Sequence, residues 1–239
     1  MIEEGIALDN RDRLANTIFL ILAGIFISSL VSCNLIFQKF FSFDINLPLI
    51  GWNYTFEQSV GILPYPITFL VTDLISEIYG RRKANLVVLS GLVASMFMLF
   101  VVTLADASTA ASWSPVDDNT FNQVFGLSGA AVFASMMAYL TAQFIDIRIF
   151  HFWKKFTKNK HLWLRNNGST IFSQFIDTFC VLFLLCSLSV LDWEIFPKLL
   201  MNGFLFKVLV AFVDTPFFYL FSYLLRRLFN LELGEELKS

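Results

Sequence analysis

Five acidic side chains lie within stretches of the sequence that are apolar enough to cross a bilayer. An ionisable group at membrane depth is costly unless it faces the protein interior, a water-filled cavity or a charged partner. Each of these positions is therefore a candidate functional residue. The five are Asp73, Glu77, Asp146, Asp177 and Asp214.

Two of the carboxylates end a repeated tetrapeptide. Gln-Phe-Ile-Asp occurs at 143–146 and again at 174–177. Residues three apart share a helix face, so each Gln side chain is expected to lie beside its Asp. The repeat indicates a shared chemical use of two helices, rather than a common ancestry.

Asp73 and Glu77 are one helical turn apart. Like charges at this spacing repel, so either one is protonated or nearby cations compensate both. For Glu77 the alternative is a purely structural role, as a carboxylate at the membrane edge that pairs with the cations of its own loop. Arg81, Arg82 and Lys83 follow it directly. Asp73 is one turn deeper and is the better functional candidate.

Lys207 and Asp214 share the last apolar stretch. They are two turns apart, about 10 Å along the helix, which is too far for direct contact. Lys207 therefore either extends to the outer interface or neutralises a carboxylate on another helix. Pro216 removes the hydrogen bond to the carbonyl of Phe212 and predicts a kink, which is typical of helices that line a cavity. Helix packing alone is the alternative.

The composition indicates that membrane-spanning helices position these side chains. Hydrophobic residues make up 56% of the chain, and 29 residues are Phe, which one soluble core of this length would not bury. A helix needs about 20 apolar residues to span the bilayer and satisfies its own backbone groups there. We therefore predict an all-α bundle of six transmembrane helices, at 17–37, 61–80, 85–105, 126–148, 169–191 and 204–225.

The distribution of Lys and Arg predicts the orientation. All but three of the seventeen lie in the two terminal segments and in the connections after the second and fourth spans. Such positively charged segments stay in the cytoplasm, so both termini are expected there. The chain then divides into a cytoplasmic tail at 1–16, a six-helix transmembrane domain at 17–227 and a second cytoplasmic tail at 228–239. The polar start lacks the pattern of a signal peptide.

Three connections differ in character. Residues 38–60 alternate aromatic and polar groups around Pro48 and Gly51, which predicts a short extracytoplasmic hairpin or cap. Residues 106–124 are acidic without a cation and predict a solvated turn, with an ion site as the alternative. Residues 151–167 alternate cations with aromatics, which favours a cytoplasmic segment lying against anionic lipid over a nucleic-acid surface.

Small residues recur at four-residue spacing in two spans. Such stripes allow helix backbones to approach closely within a bilayer. We expect them to pack inside one bundle, with a homodimer as the alternative. The first stripe is Gly24, Ser28 and Ser32, and the second is Ala130, Ala134, Ala138 and Ala142.

Four runs of the sequence resemble the signature segments of one family. They are PYPITFLVTDLISEIYGRRKA, SMMAYLTAQFIDIRIF, STIFSQFIDTF and KVLVAFVDTPFFY, and the likeness extends to Asn34 and Lys39. The family is that of the queuosine precursor transporters, also grouped as vitamin uptake transporters. The resemblance implies a multi-pass carrier in the cell inner (plasma) membrane that imports 7-cyano- and 7-aminomethyl-7-deazaguanine for tRNA modification. It also implies a fold similar to the substrate-binding subunits of energy-coupling-factor importers.

Such a substrate matches the repeated tetrapeptide. A 7-deazaguanine has a donor edge, a carbonyl acceptor and a flat aromatic face, and carboxylate and amide groups can bind the first two. We expect Asp177 or Asp146 to bind the donor edge, with Gln174 or Gln143 beside it. Phe side chains supply the stacking surface.

Other polar residues complete the predicted substrate site. Asn34 is expected to close the pocket, and Asp73 is a further candidate ligand. Asp214 is expected to offset the ammonium group of an aminomethyl substrate. The candidate charge partners are Lys39, Glu77 and Lys207.

The source of energy stays open at this level. Asp73 and Glu77 are candidates to carry protons, whereas facilitated diffusion would need no coupling, and no Gly-rich nucleotide-binding loop occurs in the sequence. A substrate-binding subunit that needs an energising partner complex is the main alternative. An intramembrane enzyme is disfavoured, since His151 and His161 lie outside the spans and no metal-ligand spacing occurs. No cofactor, no metal and no direct nucleic-acid partner are expected.

Overall fold

The computed structural model describes residues 2–47, 52–126, 129–158, 160–189 and 191–237. These residues form mainly helices, together with one two-stranded sheet and a 3-10 turn at Val60–Ile62. The helices are α1 (Ile2–Ile36), α2 (Tyr65–Ile78), α3 (Gly80–Asp106), α4 (Asp118–Phe125), α5 (Gly129–Phe156), α6 (Leu162–Ser187) and α7 (Phe196–Phe229).

Five of the described helical segments are long and apolar enough to cross a membrane. They are Arg11–Ile36, Val60–Ile78, Gly80–Asp106, Leu162–Ser187 and Phe196–Phe229. The helix α5 coincides with the fourth predicted span but is not among the five, and its side chains at 129–135 lie outside those described. A mainly helical membrane bundle is confirmed, whereas the six-span count and the position of the termini stay predictions.

The burial pattern is that of a membrane protein. Large apolar side chains such as Phe97, Phe100 and Leu209 are exposed on the outside of the bundle. The carboxylates of Asp73, Glu77 and many neighbouring polar groups are instead buried between the helices. This arrangement suits a hydrocarbon solvent, which favours apolar side chains outside and paired polar groups inside.

A hairpin follows α1, as the sequence predicts. Strand β1 (Phe40–Leu47) pairs antiparallel with β2 (Trp52–Ser59), and the Thr55 hydroxyl donates to Asp44 at 2.6 Å. The ring of Phe56 lies 5.8 Å from that of Phe206, which places the hairpin against α7. Pro48 and Gly51, which were expected to interrupt this segment, lie outside the described residues.

The acidic connection at 106–124 contains the short helix α4 in addition to turns. The side chain and backbone N–H of Thr120 hydrogen-bond to Asp117, which caps the helix, and these bonds lower the pKa of its carboxyl group. Asp118 accepts a bond from the N–H of Ala110 at 2.7 Å, and Asp106 accepts one from Asn122 at 2.9 Å. These carboxylates therefore stabilise the connection itself.

The two stripes of small residues behave differently. Ala138 and Ala142 are buried, whereas the side chains of Ala130 and Ala134 are not among those described. Gly24, Ser28 and Ser32 are exposed, and a Cβ atom added at Gly24 would meet nothing within 4 Å. The expectation of packing inside the bundle is therefore wrong for the stripe on α1.

The opposite face of α1 is the one that packs inside the bundle. Phe26 and Leu30 of α1 are buried, and Gly91 of α3 leaves room for both. A Cβ atom at Gly91 would lie 2.6 Å from the Phe26 ring. Bulky side chains on α1 and a glycine on α3 thus form this contact, and the small residues of α1 face away from it.

Both predicted tails have structure of their own. The helix α1 begins at Ile2, so the segment 1–16 is largely a helical extension of the first span. At the other end, the N–H of Leu237 donates to the carbonyl of Ile78 at 2.8 Å. The end of the described chain therefore packs against the junction of α2 and α3.

Candidate substrate-binding site

A narrow cavity lies between the helices α2, α6 and α7. Two prolines, Pro64 and Pro66, open α2, so the chain turns from the 3-10 segment into the helix at Tyr65. The cavity holds about 20 Å³, room for about one water molecule. Its principal lining side chains are Tyr65, Phe69, Thr170, Gln174, Phe206, Lys207 and Asp214.

Asp177 forms an ion pair with Lys207, which lines this cavity, and so lies directly behind the lining. The Nζ atom of Lys207 lies 2.6 Å from Oδ2 of Asp177, and both side chains are largely buried. The hydroxyl of Tyr65 donates to the same carboxylate oxygen. Nζ also lies 4.4 Å from the centre of the Tyr65 ring, within the range of a cation–π contact. Of the two interpretations of Lys207, the structure shows the one in which it neutralises a carboxylate on another helix.

Two buried acceptor atoms, one in this pair and one beside it, receive no hydrogen bond from the part of the chain that the structure describes. They are Oδ1 of Asp177 and Oε1 of Gln174, and no described residue donates to either. Both residues are only 3% exposed, although buried polar atoms are nearly always hydrogen-bonded. The second copy of the tetrapeptide thus presents two unsatisfied acceptors beside the cavity, a suitable place for a ligand with adjacent N–H groups.

Asp214 lies on the same cavity, on the α7 side. It is partly exposed, and no cation among the described residues lies within ion-pair distance of it. Lys207 is on its own helix but is paired with Asp177. The carboxyl group of Asp214 therefore lies on the cavity with no counter-charge from the described side chains.

The first copy of the tetrapeptide lies elsewhere in the bundle. The amide of Gln143 donates to the hydroxyl of Tyr139 at 2.7 Å, and its oxygen accepts from Thr72 at 3.3 Å. Asp146 accepts from the hydroxyl of Ser173 at 2.9 Å. Neither Gln143 nor Asp146 lines the cavity. The two copies share a sequence but have different surroundings.

Asp73 contacts Asp146 across the interface of α2 and α5. Their carboxyl groups are neighbours, and both are almost completely buried. Thr170 donates to Asp73 at 3.5 Å. Asp73 is therefore part of an acid pair and not of the cavity lining.

Glu77 is held by cations from three elements that are distant in sequence. Arg165 of α6 binds its two carboxylate oxygens at 3.1 and 3.0 Å. Lys154 of α5 lies 3.7 Å away and Arg226 of α7 3.6 Å away. Lys154 also binds Glu236, near the end of the described chain, at 2.9 Å.

This cluster corrects two expectations. The described side chains give Glu77 partners other than Arg81, Arg82 and Lys83. The segment 151–167 does not lie on lipid throughout, since its Lys154 and Arg165 are buried. Both side chains are needed inside because a buried carboxylate is stable only with compensating charge.

Asn34 and Lys39 lie apart from the Asp177 cavity. Asn34 donates to Ser95 at 3.4 Å and lines a second small cavity with Tyr139 and Met136. Lys39 is exposed at the start of the hairpin. The structure therefore does not bring Asn34 to the residues whose pocket it was expected to close.

Sequence reasoning missed several residues of these sites. Tyr65 carried a signal, since it lies between Pro64 and Pro66 at the start of a span. Thr170, Ser173 and Arg165 carried none, because hydroxyls are common in apolar helices and Arg165 resembles the cations around it in the sequence.

The fold and the site together define a multi-pass helical membrane protein with a polar cavity between its helices. Among the described residues, no group of three His, Cys, Asp or Glu side chains could hold a metal ion. A family model described as "Putative vitamin uptake transporter" matches residues 59–221. The chain belongs to this family of membrane transporters and is not an enzyme.

Two curated relatives agree with this assignment. A protein of Bacillus subtilis (strain 168) named "Probable queuosine precursor transporter" is 26% identical over 162 residues, 67% of this chain and 70% of that protein. A protein of Haemophilus influenzae with the same name is 24% identical over 152 residues, 63% of this chain and 62% of that protein. No solved structure matches significantly, so the likeness to energy-coupling-factor subunits stays a prediction.

Proposed function

We propose that this protein imports queuosine precursors, 7-cyano- and 7-aminomethyl-7-deazaguanine, across the cell inner (plasma) membrane. The names of the two relatives support this substrate class. The proposed topology has six spans, with α5 as the fourth and both termini in the cytoplasm. The charge distribution of the connections supports this orientation.

The observation that carries the proposal is the pair of unsatisfied acceptors on α6. No described residue donates to Oδ1 of Asp177 or Oε1 of Gln174. Gln174 lines the cavity, and Asp177 contacts Lys207 and Tyr65, which line it as well. A 7-deazaguanine presents its ring N–H and its exocyclic amine side by side, which are the donors that these atoms need. A buried acceptor without a donor costs about 1–3 kcal/mol, so a ligand that supplies donors is favoured.

The remaining groups of the substrate have partners in the same cavity. Lys207 and the hydroxyl of Tyr65 are donors beside Asp177 and can turn to the ring carbonyl. The rings of Phe69 and Phe206 line the cavity and can stack on the heterocycle. Asp214 can offset the ammonium group of the aminomethyl form.

The cavity must widen to hold this substrate. It has room for about one water molecule, which is far less than a two-ring heterocycle needs. The structure therefore corresponds to a closed state of the cavity, which is too narrow for the substrate. Entry of the substrate would separate α2 from α6 and α7, at the contacts that Tyr65 makes with Asp177 and Lys207.

Uptake by cells that cannot make the precursor tests the function. Cells producing this protein are expected to take up 7-cyano-7-deazaguanine and to place queuosine in tRNA, and the Asp177→Asn variant is expected to lose most of this activity. Glu57→Gln is the matched control, because Glu57 is an exposed carboxylate of the hairpin. The proposal fails if cells with a normal amount of the parental protein form no queuosine from the supplied precursor.

Reconstitution separates a stand-alone carrier from a subunit of a larger importer. The purified chain in liposomes is expected to take up the labelled precursor by itself. If uptake occurs in cells but not in liposomes, the chain needs an energising partner complex. In that case the substrate assignment stands and the carrier assignment does not.

A further inference from the structure

Asp73 and Asp146 form a buried acid pair separate from the Asp177 cavity. Asp73 is 1% exposed and Asp146 is fully buried, and both accept hydrogen bonds from residues that lie three apart on α6, which brings their carboxyl groups together. Oδ1 of Asp73 and Oδ2 of Asp146 receive no hydrogen bond from any described donor. Thr170 and Ser173 of α6 donate to the other oxygens.

The surrounding elements supply no described cation to neutralise this pair. On α2 the next acid, Glu77, is bound by Arg165, Lys154 and Arg226. On α7, Lys207 is paired with Asp177, and the facing group is a further acid, Asp214.

The other packed helices do not neutralise the pair either. The charged residues of α1 lie in its first half, and those of α3 lie at its two ends. On α5, Arg148 is exposed and makes no described ion pair with Asp146. The neighbours on α6 that contact the pair are hydroxyl groups.

A proton shared by the two carboxyl groups explains how the pair is stable without a described cation and with unsatisfied oxygens. Two ionised carboxylates in contact, buried and without a cation, would repel strongly. One proton held by the pair removes one charge, and it supplies a hydrogen-bond donor to a pair that has unsatisfied acceptors.

The pair is connected to the proposed substrate site through α6. Thr170 donates to Asp73 and also lines the cavity. Ser173 donates to Asp146 and directly precedes Gln174, which lines the cavity as well. A movement of α6 that admits substrate therefore changes the contacts of both carboxyl groups.

We propose that the Asp73–Asp146 pair is the proton-coupling site of the transport cycle. The inference rests on the proposed function. One proton passes from the outer solution to the pair, is held there in the closed state, and is released to the cytoplasm when the carboxyl groups separate and meet water. One positive charge then enters with each neutral substrate molecule.

The test uses purified protein in liposomes that contain a pH-sensitive dye, with the membrane potential clamped. Addition of 7-cyano-7-deazaguanine outside is expected to acidify the interior. A gradient of one pH unit, acid outside, is expected to drive about tenfold accumulation, because one pH unit and a tenfold concentration ratio are equal in free energy, about 1.4 kcal/mol.

Substitutions in the acid pair test whether it couples proton movement to transport. Asp73→Asn and Asp146→Asn are expected to lose gradient-driven accumulation and to keep exchange of labelled for unlabelled precursor, which moves no net proton. Exchange also shows that the variant is folded, and Glu57→Gln is expected to behave as the parental protein. If neither Asn variant folds, Ser173→Ala is the milder change. It is expected to move the pH midpoint of accumulation upward, because it removes a hydrogen bond that favours the ionised form.

Several outcomes would overturn the proposal. The first is uptake by the parental protein that does not depend on the pH gradient and leaves the interior pH unchanged. The second is uptake that depends on a sodium gradient instead. Another is full accumulation by both Asn variants, or an unchanged midpoint in Ser173→Ala. If the parental protein shows neither uptake nor exchange, the proposed function fails and this proposal fails with it.

Discussion

Lys207 of α7 contacts Asp177 of α6 at 2.6 Å and so joins the two helices beside the candidate site. The same lysine lies over the ring of Tyr65 on α2. The ammonium group of Lys207 thus contacts side chains of two other helices, α2 and α6. A ligand that binds Asp177 has to share the carboxylate with Lys207 or displace it, which couples occupancy of the site to the packing of these helices.

Removing the cation from this pair is expected to destabilise the protein. The substitution Lys207→Met leaves a buried carboxylate without its counter-charge, which costs about 3–5 kcal/mol. The double variant Asp177→Asn, Lys207→Met is expected to lose less stability than the sum of the two single variants. The measurement is the thermal midpoint of each purified variant. Additive losses would show that the two side chains are independent.

The two glutamines of the repeated tetrapeptide are expected to respond differently. Gln174→Leu removes an acceptor at the cavity and is expected to raise the KM of precursor uptake, at a cost of about 1–3 kcal/mol or about 5–150-fold. Gln143→Leu is the matched control, since its amide bonds to Tyr139 and Thr72 away from the cavity. It is expected to lower the thermal midpoint and leave KM unchanged. An equal rise of KM in both variants would contradict the site assignment.

Neutralising Glu77 is expected to be among the most damaging changes. Glu77→Gln leaves Arg165 buried without its carboxylate, which costs about 3–5 kcal/mol and is measurable as a fall in the thermal midpoint. Arg82→Ala removes an exposed cation close to Glu77 in sequence and is expected to change stability by about 0.5 kcal/mol or less. A comparable loss in both variants would mean that the loop cations hold Glu77 after all.

Two glycines offer a test of helix packing. A Cβ atom at Gly61 would lie 2.8 Å from the carbonyl oxygen of Cys33 and 2.9 Å from Cβ of Phe37, so Gly61→Ala is expected to cost about 1–3 kcal/mol. At Gly24 the space is open, and Gly24→Ala is expected to be neutral or to stabilise α1 by up to about 1 kcal/mol. The measurement is the thermal midpoint of each variant. A tolerated alanine at Gly61 would contradict the close approach of α1 and the 3-10 turn.

The sequence predicts the helical elements well, because the length of an apolar run is a local property. The described helices α3, α6 and α7 each contain most of the span expected for that part of the chain. The alternating residues after α1 likewise predict the hairpin of β1 and β2. The helix α4 was missed, since only its cap, Asp117, and its short amphipathic run mark it.

The contacts between side chains of different helices could not be predicted from local sequence. Arg165 is 88 residues from Glu77, and the nearer cations of the loop gave an equally good explanation from sequence. The two copies of Gln-Phe-Ile-Asp are identical in sequence, and only the packing of α5 and α6 gives Asp146 and Asp177 different neighbours. The unsatisfied acceptors appear only when every neighbouring side chain is in place.

Equilibrium binding of 7-cyano-7-deazaguanine to the purified protein tests the central claim most directly. Loss of a charged acceptor at a buried site costs about 1–3 kcal/mol, so Asp177→Asn is expected to raise the Kd about 5–150-fold. Asn34→Ala, at the second cavity, is expected to leave the Kd unchanged. Unchanged binding by Asp177→Asn together with weakened binding by Asn34→Ala would contradict the account, because the ligand would then occupy the other cavity.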